Sequence, residues 1–271
     1  MRATASRAQR GTMPLLEHLR ELRKRLLLSI AAIAVFATVA WQFYSQLFAF
    51  IRSPLDDAVA SAARRGIDVT LSMTTMTDAF TLRLQVSAAV GIIVAAPYIL
   101  FHVWRFVTPG LLAHEKRWAF SFLAAAVPLF AFGVAFAYVA LPQALVVLLG
   151  FTPDKVSNII PVPVYVAFLL RMLLVFGGAF VAPVLIVVLN LASLLPARAV
   201  FARWRGIILG SALFGAIATP TGDPFNMMIV ATPLMVLIFG AGLVCLINEK
   251  ARGRNREREP EITDDEPSSL S

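Results

Sequence analysis

The sequence predicts an all-α, polytopic membrane protein with six transmembrane helices, and two observations support this fold class. First, 59% of the 271 residues are hydrophobic and only 15% are charged, with a mean hydropathy of +0.78. One soluble core cannot bury that much apolar surface. Second, the apolar residues form runs that approach or exceed the roughly 20 residues a helix needs to cross a bilayer. These runs lack the alternation of membrane β-strands, and a helix in lipid satisfies its own backbone hydrogen bonds.

Six apolar segments are predicted to span the membrane, at about 26–51, 79–103, 118–141, 165–190, 204–218 and 226–247. Pro54 is expected to end the first helix, because proline has no backbone N–H to continue it. The fifth segment lies between Arg203 and Thr219 and has only about 15 residues, or roughly 22 Å of helix. A span of that length is too short unless the bilayer thins around it.

The spans form one predicted domain, 26–247, with a polar segment on either side. Residues 1–25 are predicted to form a cytoplasmic N-terminal region with an amphipathic helix at the membrane interface. The leucines of that helix recur every three or four residues, at Leu15, Leu19, Leu22 and Leu26. Residues 248–271 are charged and almost without apolar side chains, so a disordered cytoplasmic tail is expected.

The distribution of basic residues predicts how the protein is oriented. With six spans, 18 of the 24 Lys and Arg residues fall on one face of the membrane and 6 on the other. The positive-inside rule makes the richer face cytoplasmic, so both termini are expected inside. This asymmetry also explains the net charge of +8 without a nucleic-acid partner.

Signals for an enzyme, a metal site or a cofactor are weak. His114 and Glu115 begin an HExxH zinc motif, but Trp118 occupies the place of the second histidine. No GxxxxGK phosphate-binding loop occurs, so no cofactor is expected. A six-span small-solute or ion transporter remains an alternative. However, every acidic residue lies near a span boundary or in a loop, whereas coupling sites are usually built at mid-membrane.

The predicted cytoplasmic face has few acidic residues among its many arginines. Close to the membrane they are Glu17, Glu21, Glu115 and Glu249. The simplest interpretation is that each one neutralises a neighbouring cation, as Glu21 would with Arg25 at i,i+4 and Glu115 with Lys116. The other interpretation is that they bind cationic groups of a ligand.

Four separated motifs bear on this choice: EHLRELRKRL at 17–26, FHVWRFVTPGLLAHEKR at 101–117, FAYVALP at 136–142 and ATPTGDPFNMMIVATPL at 218–234. With them, the chain resembles the TatC family, the multi-spanning receptor subunit of the twin-arginine protein translocase, from about Met13 to Asn248. The resemblance implies a cup-shaped bundle of six helices whose last two are short, in the bacterial cytoplasmic (inner) membrane. It also implies a non-enzymatic role: binding the Arg-Arg signal peptides of folded proteins for export driven by the proton motive force. The implied partners are the single-span subunits TatA and TatB, in a hetero-complex that contains several copies of the receptor.

The resemblance assigns roles to particular residues. Those that match the signal-peptide-binding motifs are Glu21, Arg23, Phe106, Pro109, Gly110 and Glu115. Pro54 matches the proline that closes the first span, and Asp223 matches the acid of the outer turn before the last span. Two carboxylates suit two guanidinium groups, because the planar fork of an arginine pairs with a carboxylate through two hydrogen bonds.

The fourth span departs from the family pattern. The family commonly has a glutamate in an F-E-x-P context, whereas this chain has Val181 before Ala182 and Pro183. A carboxylate there would offer a polar contact to the single-span partners, and its absence puts that contact in question. Asn190, further along the same span, is considered as a polar substitute.

Overall fold

The structure, a computed structural model, describes residues 15–107, 116–153, 156, 158–191, 195–218 and 224–258. Within these residues the chain forms eight helices and two short strands. In chain order they are α1 (Leu15–Gln42), α2 (Tyr44–Ala63), β1 (Val69–Ser72), α3 (Asp78–Val107), α4 (Lys116–Leu149), β2 (Asn158–Pro161), α5 (Val162–Leu191), α6 (Ala197–Ala202), α7 (Trp204–Ala218) and α8 (Pro224–Arg258).

The helical, polytopic fold class is confirmed. Five helices of the described chain are long and apolar enough to cross a membrane, over Leu19–Gln42, Asp78–Phe106, Phe122–Leu149, Val162–Leu191 and Val230–Ala251. The remaining predicted span, the fifth in chain order, is the shorter apolar helix α7, which has 15 residues and the bounds expected from the sequence.

The first helix differs from its prediction at both ends. It begins at Leu15 and runs without a break past residue 25, so the expected interfacial helix is the first part of α1 and not a separate element. The physical reason is that residues 15–42 contain neither glycine nor proline, so nothing stops the helix at the membrane boundary. The first span also ends earlier than predicted, because the chain leaves the helix at Phe43 and starts α2 at Tyr44.

A cation from a neighbouring helix holds the break between α1 and α2. Arg83 of α3 donates a hydrogen bond from Nη2 to the carbonyl oxygen of Trp41 at 2.9 Å. Its guanidinium carbon lies 4.6 Å from the centre of the Trp41 ring and 5.4 Å from that of Tyr44. A positive charge at the carboxyl end of a helix satisfies carbonyl groups that lack an intrahelical partner. The break therefore depends on a residue 40 positions away in the chain.

Pro54 does not end the first span, as the sequence had suggested, but lies buried inside α2. A proline inside a helix removes the N–H that would bond to the carbonyl four residues earlier, which here belongs to Phe50. Tyr138 of α4 donates its hydroxyl to that carbonyl at 2.8 Å, and its ring stacks on Phe50 with centroids 4.4 Å apart. Tyr165 of α5 donates to the next carbonyl, that of Ile51, also at 2.8 Å. Tertiary hydrogen bonds thus make the proline tolerable within the helix.

Replacing Tyr138 with phenylalanine is expected to lower the free energy of unfolding by about 1 kcal/mol, because the Phe50 carbonyl loses its hydroxyl donor while the ring contact remains. The loss should shrink when Pro54 is also replaced by alanine, since residue 54 then supplies an N–H. Thermal unfolding of the two single variants and the double variant in detergent measures this coupling. An equal loss with proline or alanine at position 54 would contradict the explanation.

Two loops meet in a small parallel sheet that the sequence analysis did not foresee. Strand β1 pairs with β2 from Val69↔Asn158 to Ser72↔Pro161. The strands join the α2–α3 connection to the segment before α5. We call the end of the bundle that carries this sheet the distal end, and the end at which α1 begins and α3 finishes the proximal end.

The core lies along α5, which packs against α3, α4 and α8. Phe176 and Phe180 of α5 are fully buried, and Phe136 of α4 packs on both rings. Gly133 allows α4 to come this close, because a Cβ built there would lie 2.6 Å from the carbonyl oxygen of Phe176.

The last helix is longer than predicted. Helix α8 has 35 residues and ends at Arg258, so only α7 of the final two helices is short. The expectation of disorder from residue 248 onward is wrong as far as Arg258, and residues 259–271 lie outside the described part. The added segment, residues 248–258, has four Arg, two Glu, one Lys and one Ala, which favour helix, and contains no proline before Pro260.

Candidate functional site

A basic pocket opens at the proximal end, between the start of α1 and the end of α3. Its volume is about 410 Å³. In the described part of the chain, its lining side chains are Arg20, Glu21, Lys24, Arg25, Leu28, His102 and Arg105. Four of these are cationic at neutral pH and one is anionic, so with neutral histidine the lining carries a net charge of +3.

Glu21 is the acidic residue of this pocket, and it contacts Arg25 one helical turn away. Arg25 donates to Glu21 Oε1 from Nε at 3.2 Å and also from Nη2. This confirms the neutralising pair that the i,i+4 spacing predicted. The side chains of Arg25 and Glu21 are 11% and 27% exposed, so this pair is part-buried and costs more to break than an exposed i,i+4 pair. A ligand guanidinium that takes the place of Arg25 must therefore make an equivalent charge-assisted contact with Glu21.

The other predicted binding residues are divided between the pocket rim and the part of the chain that is not described. Arg23 is exposed on α1 and is not among the lining residues, whereas Phe106 is half-buried beside Arg105 at the end of α3. Pro109, Gly110 and Glu115 lie outside the described residues, as does Asp223. That Glu21 and Glu115 belong to one binding site therefore remains a prediction.

The structure adds residues of the 101–117 motif that the sequence analysis passed over. His102 and Arg105 line the same pocket as Glu21. Trp104 is 6% exposed and stacks on Phe122 of α4 with ring centroids 4.5 Å apart. This stack joins the end of α3 to α4, the two helices between which residues 108–115 lie in the sequence. The aromatic residues in the motif were the available signal, but which of them point inward depends on how the helices pack.

A second, apolar cavity of about 540 Å³ lies deeper, between α3 and α4. Phe50 of α2 and Leu173 of α5 complete its wall, and Tyr138 is the polar residue among the lining side chains of the described chain. On α3 the cavity reaches Ile93 and Pro97, which precede His102 by nine and five residues, or about 14 and 8 Å along the helix axis. The two cavities thus offer a charged and an apolar environment within one helix length.

Val181 and Asn190, the two residues considered for partner contact, are both buried in this chain. Val181 is 5% exposed and belongs to the apolar cluster around Trp104 and Phe122. Asn190 is 4% exposed, and its amide donates to Glu249 Oε1 at 2.6 Å and to the Leu195 carbonyl at 2.8 Å. Contact of either residue with a partner remains a prediction, and both side chains already pack or bond within the chain.

Glu249 organises the turn between α5 and α6. Besides the Asn190 amide, its Oε1 accepts the backbone N–H of Ala197 at 2.7 Å, at the start of α6. One carboxylate oxygen therefore links α5, α6 and α8. The sequence analysis counted Glu249 among four acids on the basic face without finding these partners, since they are 52 and 59 residues away.

Replacing Glu249 with alanine is expected to lower the free energy of unfolding by about 2 kcal/mol or more, because the buried Asn190 amide and the Ala197 N–H both lose an acceptor. Glutamine keeps an acceptor oxygen and should lose less. Thermal unfolding of the purified variants measures the difference, with Lys250→Ala as an exposed control. Equal melting temperatures for the alanine variant and the wild type would rule out this structural role.

Among the residues that the structure describes, no three His, Cys, Asp or Glu side chains stand close enough to share a metal ion. The polar groups gathered at the proximal end are mainly guanidinium groups, one carboxylate and one imidazole. Such a set suits the binding of charged groups.

Comparison with known proteins identifies the family of this chain. The family model for Sec-independent protein translocase protein (TatC) matches residues 17–233. A protein of Xylanimonas cellulosilytica named Sec-independent protein translocase protein TatC is 39% identical over 246 residues, 91% of this chain and 88% of that protein. One of the same name from Aquifex aeolicus is 34% identical over 228 residues, 83% of this chain and 91% of its own length. A solved structure, "Crystal Structure of Twin Arginine Translocase Receptor- TatC", superposes with a TM-score of 0.70 at 31% identity, covering 84% of this chain and 99% of that one.

These matches make the alternative of a small-solute or ion transporter wrong, because the family model covers residues 17–233 and the Xylanimonas cellulosilytica relative covers 91% of the chain. The fold agrees as well, since the solved structure superposes over nearly its full length. The chain therefore belongs to the TatC family, and it is a multi-pass membrane receptor subunit of the bacterial Tat translocase that acts in protein export and is not an enzyme.

Proposed function

We propose that Glu21 and Glu115 bind the two guanidinium groups of a twin-arginine signal peptide at the proximal end. The observation that carries the proposal is the position of Glu21, which is partly exposed in a pocket where the described chain offers no other lining carboxylate. Arg23, Phe106, Pro109 and Gly110 shape the surroundings of the two carboxylates. The Trp104–Phe122 stack supports this region from within.

The apolar part of the signal peptide binds in the cavity between α3 and α4. Hydrogen bonds to charged groups contribute about 1.5 to 3 kcal/mol each, so two carboxylates supply about 3 to 6 kcal/mol. Micromolar affinity requires about 8.2 kcal/mol. Burial of an apolar segment supplies the difference, and the 540 Å³ cavity starts about one and a half helical turns from the basic pocket.

The proximal end faces the cytoplasm, because most of the basic residues lie there and the positive-inside rule applies. In this arrangement α1, α3, α4, α5, α7 and α8 each cross the inner membrane of the bacterium and form a cup, and both termini are cytoplasmic. Asp223 then lies at the outer turn before the last helix. The subunit associates with TatA and TatB, several copies act in one hetero-complex, and the proton motive force drives export.

Photocrosslinking tests the recognition step. Membranes that contain the wild-type chain are incubated with a synthetic signal peptide carrying a photoreactive group next to its Arg-Arg pair, and with a matched Lys-Lys peptide. The expected result is selective labelling by the Arg-Arg peptide, because lysine does not reproduce the two-pronged geometry of a guanidinium. Equal labelling by the two peptides would reject the proposed recognition.

A further inference from the structure

The charge of the basic pocket does not match a ligand that consists of cations alone. Among the lining residues that the structure describes, the cations Arg20, Lys24, Arg25 and Arg105 outnumber Glu21 by four to one, and Glu21 is already in contact with Arg25. An arginine pair that binds to Glu21 leaves this surplus of positive charge without a counter-ion. The surplus is complementary to an anion.

The setting of the pocket favours an anion with an apolar body. The pocket lies at the proximal end of α1 and α3, both of which are long and apolar enough to cross a membrane. Leu28 forms part of its wall, and the side chains that follow along the two helices are exposed and apolar: Leu26 (56%), Ile30 (51%), Tyr98 (40%) and Phe101 (36%). A charged head beside a lipid-facing surface suits an amphiphile better than a small soluble ion.

His102 adds a polar group that has no partner in the described part of the chain. Neither of its ring nitrogens has a hydrogen-bond partner among the residues that the structure describes. Its ring is held edge-on against Tyr98 with centroids 4.4 Å apart. A buried polar group without a partner is costly, and an occupant with acceptor oxygens would relieve that cost.

We propose that this pocket binds the phosphate of an anionic phospholipid, with Arg25 and Arg105 as its main contacts and Arg20 and Lys24 at its rim. Basic pockets between membrane helices at the cytoplasmic surface are a recurrent setting for such headgroups. The acyl chains lie along the exposed apolar faces of α1 and α3. A phosphate on Arg25 competes with Glu21 for the same guanidinium, so the lipid makes the carboxylate available to a signal peptide; this consequence rests on the proposed function.

Native mass spectrometry of the purified full chain in detergent tests lipid binding directly and without any peptide. Phosphatidylglycerol and zwitterionic phosphatidylcholine of equal chain length are titrated in parallel, and inorganic phosphate is added as a competitor. We expect phosphatidylglycerol to be retained in preference to phosphatidylcholine and to resist millimolar phosphate. Equal retention of the two lipids, or displacement by inorganic phosphate, would overturn the assignment to a lipid.

Variants locate the bound lipid. Arg25→Gln combined with Arg105→Gln should weaken phosphatidylglycerol binding by at least about tenfold, because two charge-assisted contacts are lost. Arg52→Gln is the matched control, since Arg52 forms an i,i+4 pair with Asp56 on α2, outside the pocket. If the double variant does not fold, Arg20→Gln with Lys24→Gln removes two exposed rim charges instead. Unchanged lipid affinity in a folded pocket variant would refute the site.

Peptide capture separates this inference from the proposed function. If the wild-type chain retains phosphatidylglycerol and phosphatidylcholine equally but captures the Arg-Arg peptide selectively, the lipid site alone is refuted. Normal lipid selectivity with equal capture of Arg-Arg and Lys-Lys peptides would refute the recognition role alone. If the lipid site and the recognition role are both correct, adding phosphatidylglycerol to lipid-free protein should raise capture of the Arg-Arg peptide.

Discussion

Replacing Glu21 with glutamine is expected to lower the affinity for an Arg-Arg signal peptide by at least about tenfold, because one charge-assisted contact of about 1.5 to 3 kcal/mol is lost. The change also leaves Arg25 without its carboxylate, so the net charge of the pocket lining rises by one and repels the peptide further. Fluorescence titration of a labelled peptide against membranes that contain the variant measures the loss.

Two further variants distinguish recognition from charge neutralisation within α1. Asp56→Asn removes the acid of the comparable i,i+4 pair on α2 and should leave peptide affinity unchanged. Arg25→Gln removes the internal competitor and one positive charge, so it should preserve or raise affinity. If Glu21 only neutralises Arg25, the double variant Glu21→Gln, Arg25→Gln should bind the peptide as the wild type does. That outcome would remove Glu21 from the recognition site.

Replacing Gly133 with alanine is expected to destabilise the bundle by about 1–3 kcal/mol, the usual cost of overpacking, and to lower the melting temperature by about 5 °C. The new Cβ would lie 2.6 Å from the Phe176 carbonyl oxygen and 2.9 Å from the Phe180 Cβ. Backbone cannot rotate away as the tip of a flexible side chain can, so α4 and α5 must separate. Thermal unfolding in detergent measures the shift.

Gly178→Ala is the matched control on the partner helix. A Cβ built at Gly178 meets nothing within 4 Å, and alanine favours helix over glycine by up to about 1 kcal/mol. This variant should therefore keep or gain stability. If both alanine variants melt at the same temperature, the close approach of α4 and α5 at Gly133 is not what holds these helices together.

Local signals were sufficient for several features of this protein. The bounds of α7 were predicted because the apolar run is limited by Arg203 at one end and Thr219 at the other. The Glu21–Arg25 contact followed from i,i+4 spacing on a helix. Both predictions rest on residues that are close together in the chain, where helix geometry alone determines the neighbours.

The errors came from residues whose surroundings are distant in sequence. Pro54 looked like the end of a helix, but Tyr138 satisfies the carbonyl that the proline leaves open. The real break, at Phe43, has no glycine or proline and is held by Arg83. Strands β1 and β2 are each four residues long, so neither has a recognisable pattern until the other is beside it.

Hydropathy, charge and short motifs are read along one dimension, so the sequence alone predicted a helical membrane protein with a basic face and the motifs of the twin-arginine receptor family. Helix packing was needed to show that His102 and Arg105 join Glu21 in one pocket, that Glu249 holds the start of α6, and that Val181 and Asn190 are buried. Helices far apart in the chain build each of these environments, and their packing selects which side chains meet.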